Sequence, residues 1–196
     1  MGALATIMDY FEVFGLPRRL GIDAQTLQRR FYELSRRYHP DFHAGAPREE
    51  QARTLEASAR LNAAYRALRD PIARIEYLVQ LEEGRQTREG ATVKPQAPAE
   101  LLAEMFEIQE ALDETRAGDL AETARETLRA QRERLMARRR EEGVRLTGPL
   151  AAAWDAAGPG ERSALLEELK RALAARAYLQ TVIDDLAQAL GDDEAP

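Results

Sequence analysis

The sequence predicts an all-α protein: a helical hairpin with flanking short helices at the N-terminus, then a C-terminal three-helix bundle. Three observations carry this. Alanine, leucine, glutamate and arginine dominate the composition, and these are strong helix formers. The Val/Ile/Thr alternation that marks strands is nearly absent. Apolar residues recur at three- and four-residue spacings over long stretches, the period of a helix face.

Asp9-Tyr10-Phe11-Glu12-Val13-Phe14 reads as a short first helix, ended by Gly15-Leu16-Pro17. Asp23 suits the N-cap of the second, because its carboxylate can accept from the free N–H groups of the first turn. In that helix Leu27, Phe31, Leu34 and Tyr38 form one apolar stripe, while Arg29, Arg30, Arg36 and Arg37 fall mostly off it. His39-Pro40-Asp41 follows. Proline cannot continue the helix and restricts the residue before it, so the tripeptide tips a hairpin and shows an imidazole and a carboxylate to solvent. A third helix is expected from about Arg48 to Arg69, with Leu55, Ser58, Leu61 or Asn62, Tyr65 and Leu68 facing inward. Asp70-Pro71 ends it, and a fourth helix over Ile72 to Glu82 buries Ile75, Leu78 and Val79.

The stretch 83–98 holds Gly84, Gly90, Pro95 and Pro98 without apolar periodicity, so it is the expected linker between a domain at 1–82 and another at 99–196. Three helical segments are expected beyond it, near 99–116, 119–142 and 160–190. Leu101, Met105, Ile108 and Leu112 form the stripe of the first. Leu120, Ala124, Leu128 and Leu135 serve the second. Leu165, Leu169, Leu173, Leu179, Ile183, Leu186 and Leu190 serve the third. Gly143 to Gly160 interrupts the pattern and holds the only tryptophan, Trp154.

Charge divides the chain. The first 80 residues carry 12 arginines against 10 carboxylates, and the remainder carries 16 basic residues against 24 acidic ones. A near-neutral front with a basic helix and an acidic rear suggests two different protein partners, and a net charge of −6 argues against nucleic acid as the main ligand. The absence of cysteine removes disulfides and thiolate metal sites and fits a reducing compartment. No apolar run approaches the roughly 20 residues that span a bilayer. Met1 to Met8 lacks a basic leader region, so neither membrane nor secretion is expected, and a cytoplasmic location is.

An isolated His-Pro-Asp is equally a helix stop. Its surroundings decide. Leu27 to Asp41, with Phe31, Leu34 and Tyr38 on the stripe, resembles the second helix and loop of J domains. Asn62-Ala63-Ala64-Tyr65-Arg66-Ala67-Leu68-Arg69-Asp70-Pro71 resembles the end of their third helix. Asp9-Tyr10-Phe11 followed by Phe14-Gly15-Leu16 resembles their first. The resemblance implies a protein that stimulates the ATPase of an Hsp70 chaperone and is no enzyme itself. It implies docking through His39, Pro40 and Asp41, with Arg29, Arg30, Arg36 and Arg37 around them. The residue after the aspartate is often basic in J domains and is Phe42 here.

The rest of the chain narrows the likeness. Arg74-Ile75-Glu76-Tyr77-Leu78 after the third helix, the acidic segment Leu101 to Glu114, and Arg176-Ala177-Tyr178-Leu179 resemble the HscB-type co-chaperones of iron–sulfur cluster assembly. That implies a second partner, the cluster scaffold protein IscU, delivered to an HscA-like or general Hsp70. Leu102 and Phe106 lie about 100° around the helix from the expected core stripe, with Glu107 and Glu110 beside them, as an exposed binding patch would. The family's scaffold-binding positions match Leu102, Ala103, Phe106, Glu107, Glu110 and Tyr178, with Ala103 smaller than is common there. A monomer or weak dimer without cofactor is expected.

Two rivals follow from the same residues. One is a general J-domain protein recruiting other clients. The other is a metal-dependent hydrolase at His39, Asp41 and His43, which four-residue spacing would favour on a helix. Pro40 interrupts any such helix and no third histidine exists, whereas a tetrahedral site needs three or four protein ligands. No metal site is expected.

Overall fold

The computed structural model describes residues 8–43, 45–84, 106, 108 and 122–191. Seven α-helices lie among them: α1 (Tyr10–Val13), α2 (Ala24–Arg37), α3 (Arg48–Arg69), α4 (Pro71–Glu82), α5 (Glu122–Arg145), α6 (Ala151–Ala156) and α7 (Arg162–Leu190). A 3-10 turn spans Pro40–His43 and a π-helical turn spans Leu146–Leu150; no strand occurs among the described residues. The chain divides into two units. The first takes Met1–Thr87 with Ala151–Ala157, and the second takes Arg88–Leu150 with Gly158–Pro196.

In the first unit α3 is the central strut, against which α1, α2, α4 and the 3-10 turn pack. Its buried residues Thr54, Leu61 and Leu68 recur every seven positions, with Ala64 between them. Leu55, expected inward, is 63% exposed, and Asn62 is exposed as well; the buried face is one position out of phase with the most apolar residues of the helix's first half. Phe11, Phe14, Leu20, Leu27, Ile75 and Leu78 complete the core. Of the α2 stripe, Leu27 is buried and Phe31, Leu34 and Tyr38 are half-buried, with the Phe31 ring stacked on Tyr65 at 4.1 Å.

The helix starts are chemically specified. Asp9 accepts from the Glu12 N–H while the Glu12 carboxylate accepts from the Asp9 N–H, both at 2.9 Å, a reciprocal capping box. Asp23 accepts from the Thr26 N–H at 2.8 Å, as its position before α2 predicts. Asp70 caps α4 by accepting from the Ala73 N–H at 2.8 Å, with Pro71 in the first turn, where its missing N–H costs nothing.

The tryptophan segment is the main departure from the sequence-based outline, which placed it within the second domain. Gly143 lies inside α5, which runs on to Arg145; Pro149 falls in the π-helical turn; and Trp154 lies on a further helix, α6. Trp154 is buried and belongs to the first unit. The Asp155 carboxylate accepts from the Leu20 N–H at 2.8 Å and from the Gly21 N–H at 2.7 Å. These bonds satisfy two donors in a loop with no ladder or helix of its own.

In the second unit α5 and α7 pack along each other and on the π-helical turn. Its core joins Ile108, Leu128 and Leu135 to Leu179, Val182, Ile183, Leu186 and Leu190. Leu128 and Leu135 are a heptad apart, as are Leu179 and Leu186, and Ile183 and Leu190, the repeat of helices that run side by side. Leu165 and Leu173, placed on the α7 stripe by periodicity, are only half-buried, while Ala172 and Val182 are buried. Gly191 ends α7 in the left-handed region (φ 72°), which glycine adopts without a side-chain clash. Of the expected first bundle helix, Phe106 and Ile108 are described and both are helical.

Candidate chaperone-docking surface

The His-Pro-Asp tip stands between the end of α2 and the start of α3. Its 3-10 turn is closed by the Phe42 N–H donating to the His39 carbonyl at 3.1 Å. The Asp41 N–H donates to His39 Nδ1 at 3.3 Å. The Asp41 carboxylate lies 3.6 Å from the same Nδ1 and is 85% exposed, while the His39 side chain is 51% exposed. Pro40 is exposed too. The tip therefore offers an imidazole and a carboxylate side by side, on a backbone already folded.

His43 holds this tip to both helices. Its Nε2 lies 3.1 Å from the Arg37 carbonyl at the end of α2, and its Nδ1 lies 3.4 Å from the Glu50 carboxylate in the first turn of α3. Both ring nitrogens thus face groups of the hairpin itself. Among the described residues no three His, Asp or Glu side chains converge as a metal site would require.

The four arginines named from the sequence separate into different roles. Arg29 and Arg36 are exposed and line one groove of about 710 Å³ with Tyr32, Glu33, His39 and Phe42. Arg37 is exposed, with its guanidinium 5.7 Å from the centre of the Tyr38 ring. Arg30 does something else. It is half-buried, and its Nη1 donates to the Phe14 carbonyl and, at 2.8 Å, to the Gly15 carbonyl. It ties α2 to the turn after α1, where Gly15 holds φ at 58°. Arg30 is not among the residues that line the groove.

Sequence reasoning missed the buried polar framework behind this face. Arg74 is 5% exposed; its Nε donates to the Leu68 carbonyl at 2.8 Å and its Nη1 to the Leu20 carbonyl. Burial lowers its pKa from the ordinary arginine value, and the carboxylates of Asp70 and Asp155 oppose that shift. The Tyr77 hydroxyl accepts from the Tyr10 N–H at 2.8 Å, and its ring stacks on Tyr10 at 4.4 Å. Burial pushes the Tyr77 phenol up to about 12. Asp23, which caps the helix carrying the groove arginines, is held below the usual carboxylate range by its bonds to the Thr26 side chain and N–H. The Arg74-x-x-Tyr77 spacing after Asp70-Pro71 was visible in the sequence, but nothing there distinguished an inward-facing arginine from a solvated one.

The second expected surface is described in part. Phe106 is 76% exposed while Ile108, two residues on, is 1% exposed. Two helical positions differ by about 200°, so the pair looks in opposite directions and Phe106 lies off the core stripe. Tyr178 is half-buried against the core of the second unit. Leu102, Ala103, Glu107 and Glu110 lie outside the described residues.

Comparison with known proteins agrees with this geometry. Residues 9–77 match the family model of the DnaJ domain. Among solved structures, the chaperone HscB from Vibrio cholerae is 26% identical with a TM-score of 0.54, covering 91% of this chain and 99% of that one. The human co-chaperone protein HscB shares the fold at 24% identity and a TM-score of 0.60, covering 96% of this chain and 85% of that one. With the exposed His-Pro-Asp tip on its basic helix, residues 9–77 form a J domain, and the chain is similar in fold to the HscB co-chaperones.

Proposed function

We propose that this chain stimulates ATP hydrolysis by an Hsp70-type chaperone and delivers to it the iron–sulfur cluster scaffold protein, IscU. The chain itself performs no chemistry; the reaction takes place on the Hsp70. The observation that carries the reading is the exposed imidazole–carboxylate tip beside the arginine-lined groove. Arg29, Arg36 and Arg37 steer an acidic surface of the partner to α2 and raise the rate of encounter. The tip then favours the hydrolysing conformation of the partner, which requires that His39, Pro40 and Asp41 bind that conformation more tightly than the other. A cytoplasmic site of action is part of the proposal.

The scaffold is bound by the acidic segment around Phe106. Leu102, Ala103, Phe106, Glu107, Glu110 and Tyr178 are the proposed contacts. The exposure of Phe106 supports this, because a large apolar side chain turned away from a core costs solubility unless a partner covers it.

Steady-state ATPase of candidate Hsp70s, with and without the chain and the scaffold, tests both halves. His39→Gln should abolish stimulation and leave the helical circular dichroism unchanged; retained stimulation refutes the tip as trigger. Phe106→Ser with Leu102→Ser should abolish co-precipitation of the scaffold while leaving basal stimulation intact. Retained capture would refute the patch around Phe106 as the scaffold site, and failure of the unaltered chain to capture the scaffold would favour a general J-domain protein with other clients.

A further inference from the structure

Phe42 is the feature of the tip that docking through charge does not explain. It follows the aspartate directly, is 74% exposed, and lies on the groove that also holds Tyr32, itself 58% exposed. Its ring meets the His39 imidazole edge-on, with centroids 5.8 Å apart. The exposed cations Arg29 and Arg36 line the same groove, and Glu33 is the one carboxylate among its lining residues. An aromatic side chain exposed beside arginines has the composition of an interface anchor: aromatics and arginine are enriched where binding energy concentrates, and an aromatic ring loses little entropy when fixed.

We infer that Phe42, with Tyr32, is an apolar anchor for the Hsp70, inserting among aliphatic side chains that border carboxylates on the partner. The inference deepens the proposed function and rests on it. Charge complementarity identifies the occupant's chemistry. Arg29 and Arg36 call for carboxylates opposite them, and Phe42 in the same groove calls for an apolar neighbour to those carboxylates, because a wholly acidic surface would leave the ring in water. A lysine or arginine at this position would read the same surface by charge alone. A phenylalanine reads it by shape and dehydration, so the complex gains in lifetime rather than in encounter rate.

The experiment is an ATPase titration of the Hsp70 that responds to the unaltered protein, comparing the unaltered chain with Phe42→Ala, Phe42→Lys and His39→Gln at low and moderate salt. The expected result for Phe42→Ala is a concentration for half-maximal stimulation about tenfold higher, with maximal stimulation retained. Phe42→Lys should fail to restore affinity and should steepen its dependence on salt. Circular dichroism of both variants should match the unaltered protein, because the ring is exposed.

Half-maximal concentrations within twofold for Phe42→Ala overturn the inference. So does a fall in maximal stimulation at unchanged half-maximal concentration, which would mean that Phe42 only supports His39. Full affinity in Phe42→Lys overturns it too. Failure of the underlying reading looks different: His39→Gln would then stimulate as well as the unaltered chain, or no Hsp70 would respond to it.

Discussion

Arg30 and Arg36 sit six residues apart on one helix and look alike in sequence, yet the structure gives them opposite consequences. Arg30 donates to the Phe14 and Gly15 carbonyls and so ties α2 to that turn. Hydrogen bonds from a charged donor contribute about 1.5–3 kcal/mol each, and the exposed Gly15 carbonyl regains water when the arginine is removed. Arg30→Ala should therefore cost about 2 kcal/mol, which in a chain of 196 residues lowers Tm by roughly 4–8 °C. Arg36 is exposed and lines the groove, so Arg36→Ala should change stability by less than about 0.5 kcal/mol. The assay pairs thermal melts with ATPase titration below the melting range. Arg30→Ala should melt early yet stimulate with a half-maximal concentration within twofold of the unaltered chain. Arg36→Ala should melt normally yet need several-fold more protein, with the gap closing at high salt. An Arg30→Ala variant that melts normally and loses stimulation would refute the division.

Further outcomes follow from the buried framework and the loop. Arg74→Met removes the donors to the Leu68 and Leu20 carbonyls and should cost about 3 kcal/mol in urea melts, with Lys no substitute because it lacks the planar fork. Asp155→Ala should cost about 2 kcal/mol and speed hydrogen exchange at the Leu20 and Gly21 amides by more than tenfold; unchanged exchange would mean that α6 does not hold that loop. Tyr77 titrates near 10 when unfolded and near 12 when folded, so the folded state binds the extra proton between those values. Stability should be intact below pH 10 and fall through the window to pH 12 by up to roughly 2–3 kcal/mol. Tyr77→Phe should flatten that slope. His43→Ala should leave the fold intact and broaden the backbone resonances of His39 and Asp41, since it frees the tip from Arg37 and Glu50.

The helices were legible because their signals are local. Asp9, Asp23 and Asp70 each precede a helix by one residue and each accepts from its first turn. Leu27, Leu61, Leu68, Ile75 and Leu78 lie where periodicity put them and are all buried. Leu55 misled because it is more apolar than Thr54, yet the seven-residue repeat through Leu61 and Leu68 selects the threonine. The Trp154 helix was hidden between Pro149 and Pro159, which read as a break; six residues give too little periodicity to outweigh them. The tip was legible because proline forces it into the open. The division among the arginines was not, because Arg30 is distinguished by carbonyls 15 and 16 residues away, and periodicity says nothing of contacts at that range.

The tip combines a folded backbone with exposed charges around it, and that division of labour bears on how it can act as a trigger. Pro40 fixes one dihedral, the 3-10 bond from Phe42 to His39 closes the turn, and His43 joins it to α2 and α3. A partner that binds it has little loop entropy to remove, so most of the interaction at His39 and Asp41 can go into discriminating between two conformations of the Hsp70. Long arginine side chains are less suited to that task. They adapt to either conformation, and uniform affinity for both shifts no equilibrium. Steering and triggering therefore fall to different residues: exposed guanidinium groups bring the partner in from a distance, and a short, pre-shaped tip decides which of its states is held. This is why His39→Gln should remove stimulation while leaving encounter intact, and why losing one groove arginine should shift the titration without lowering its plateau.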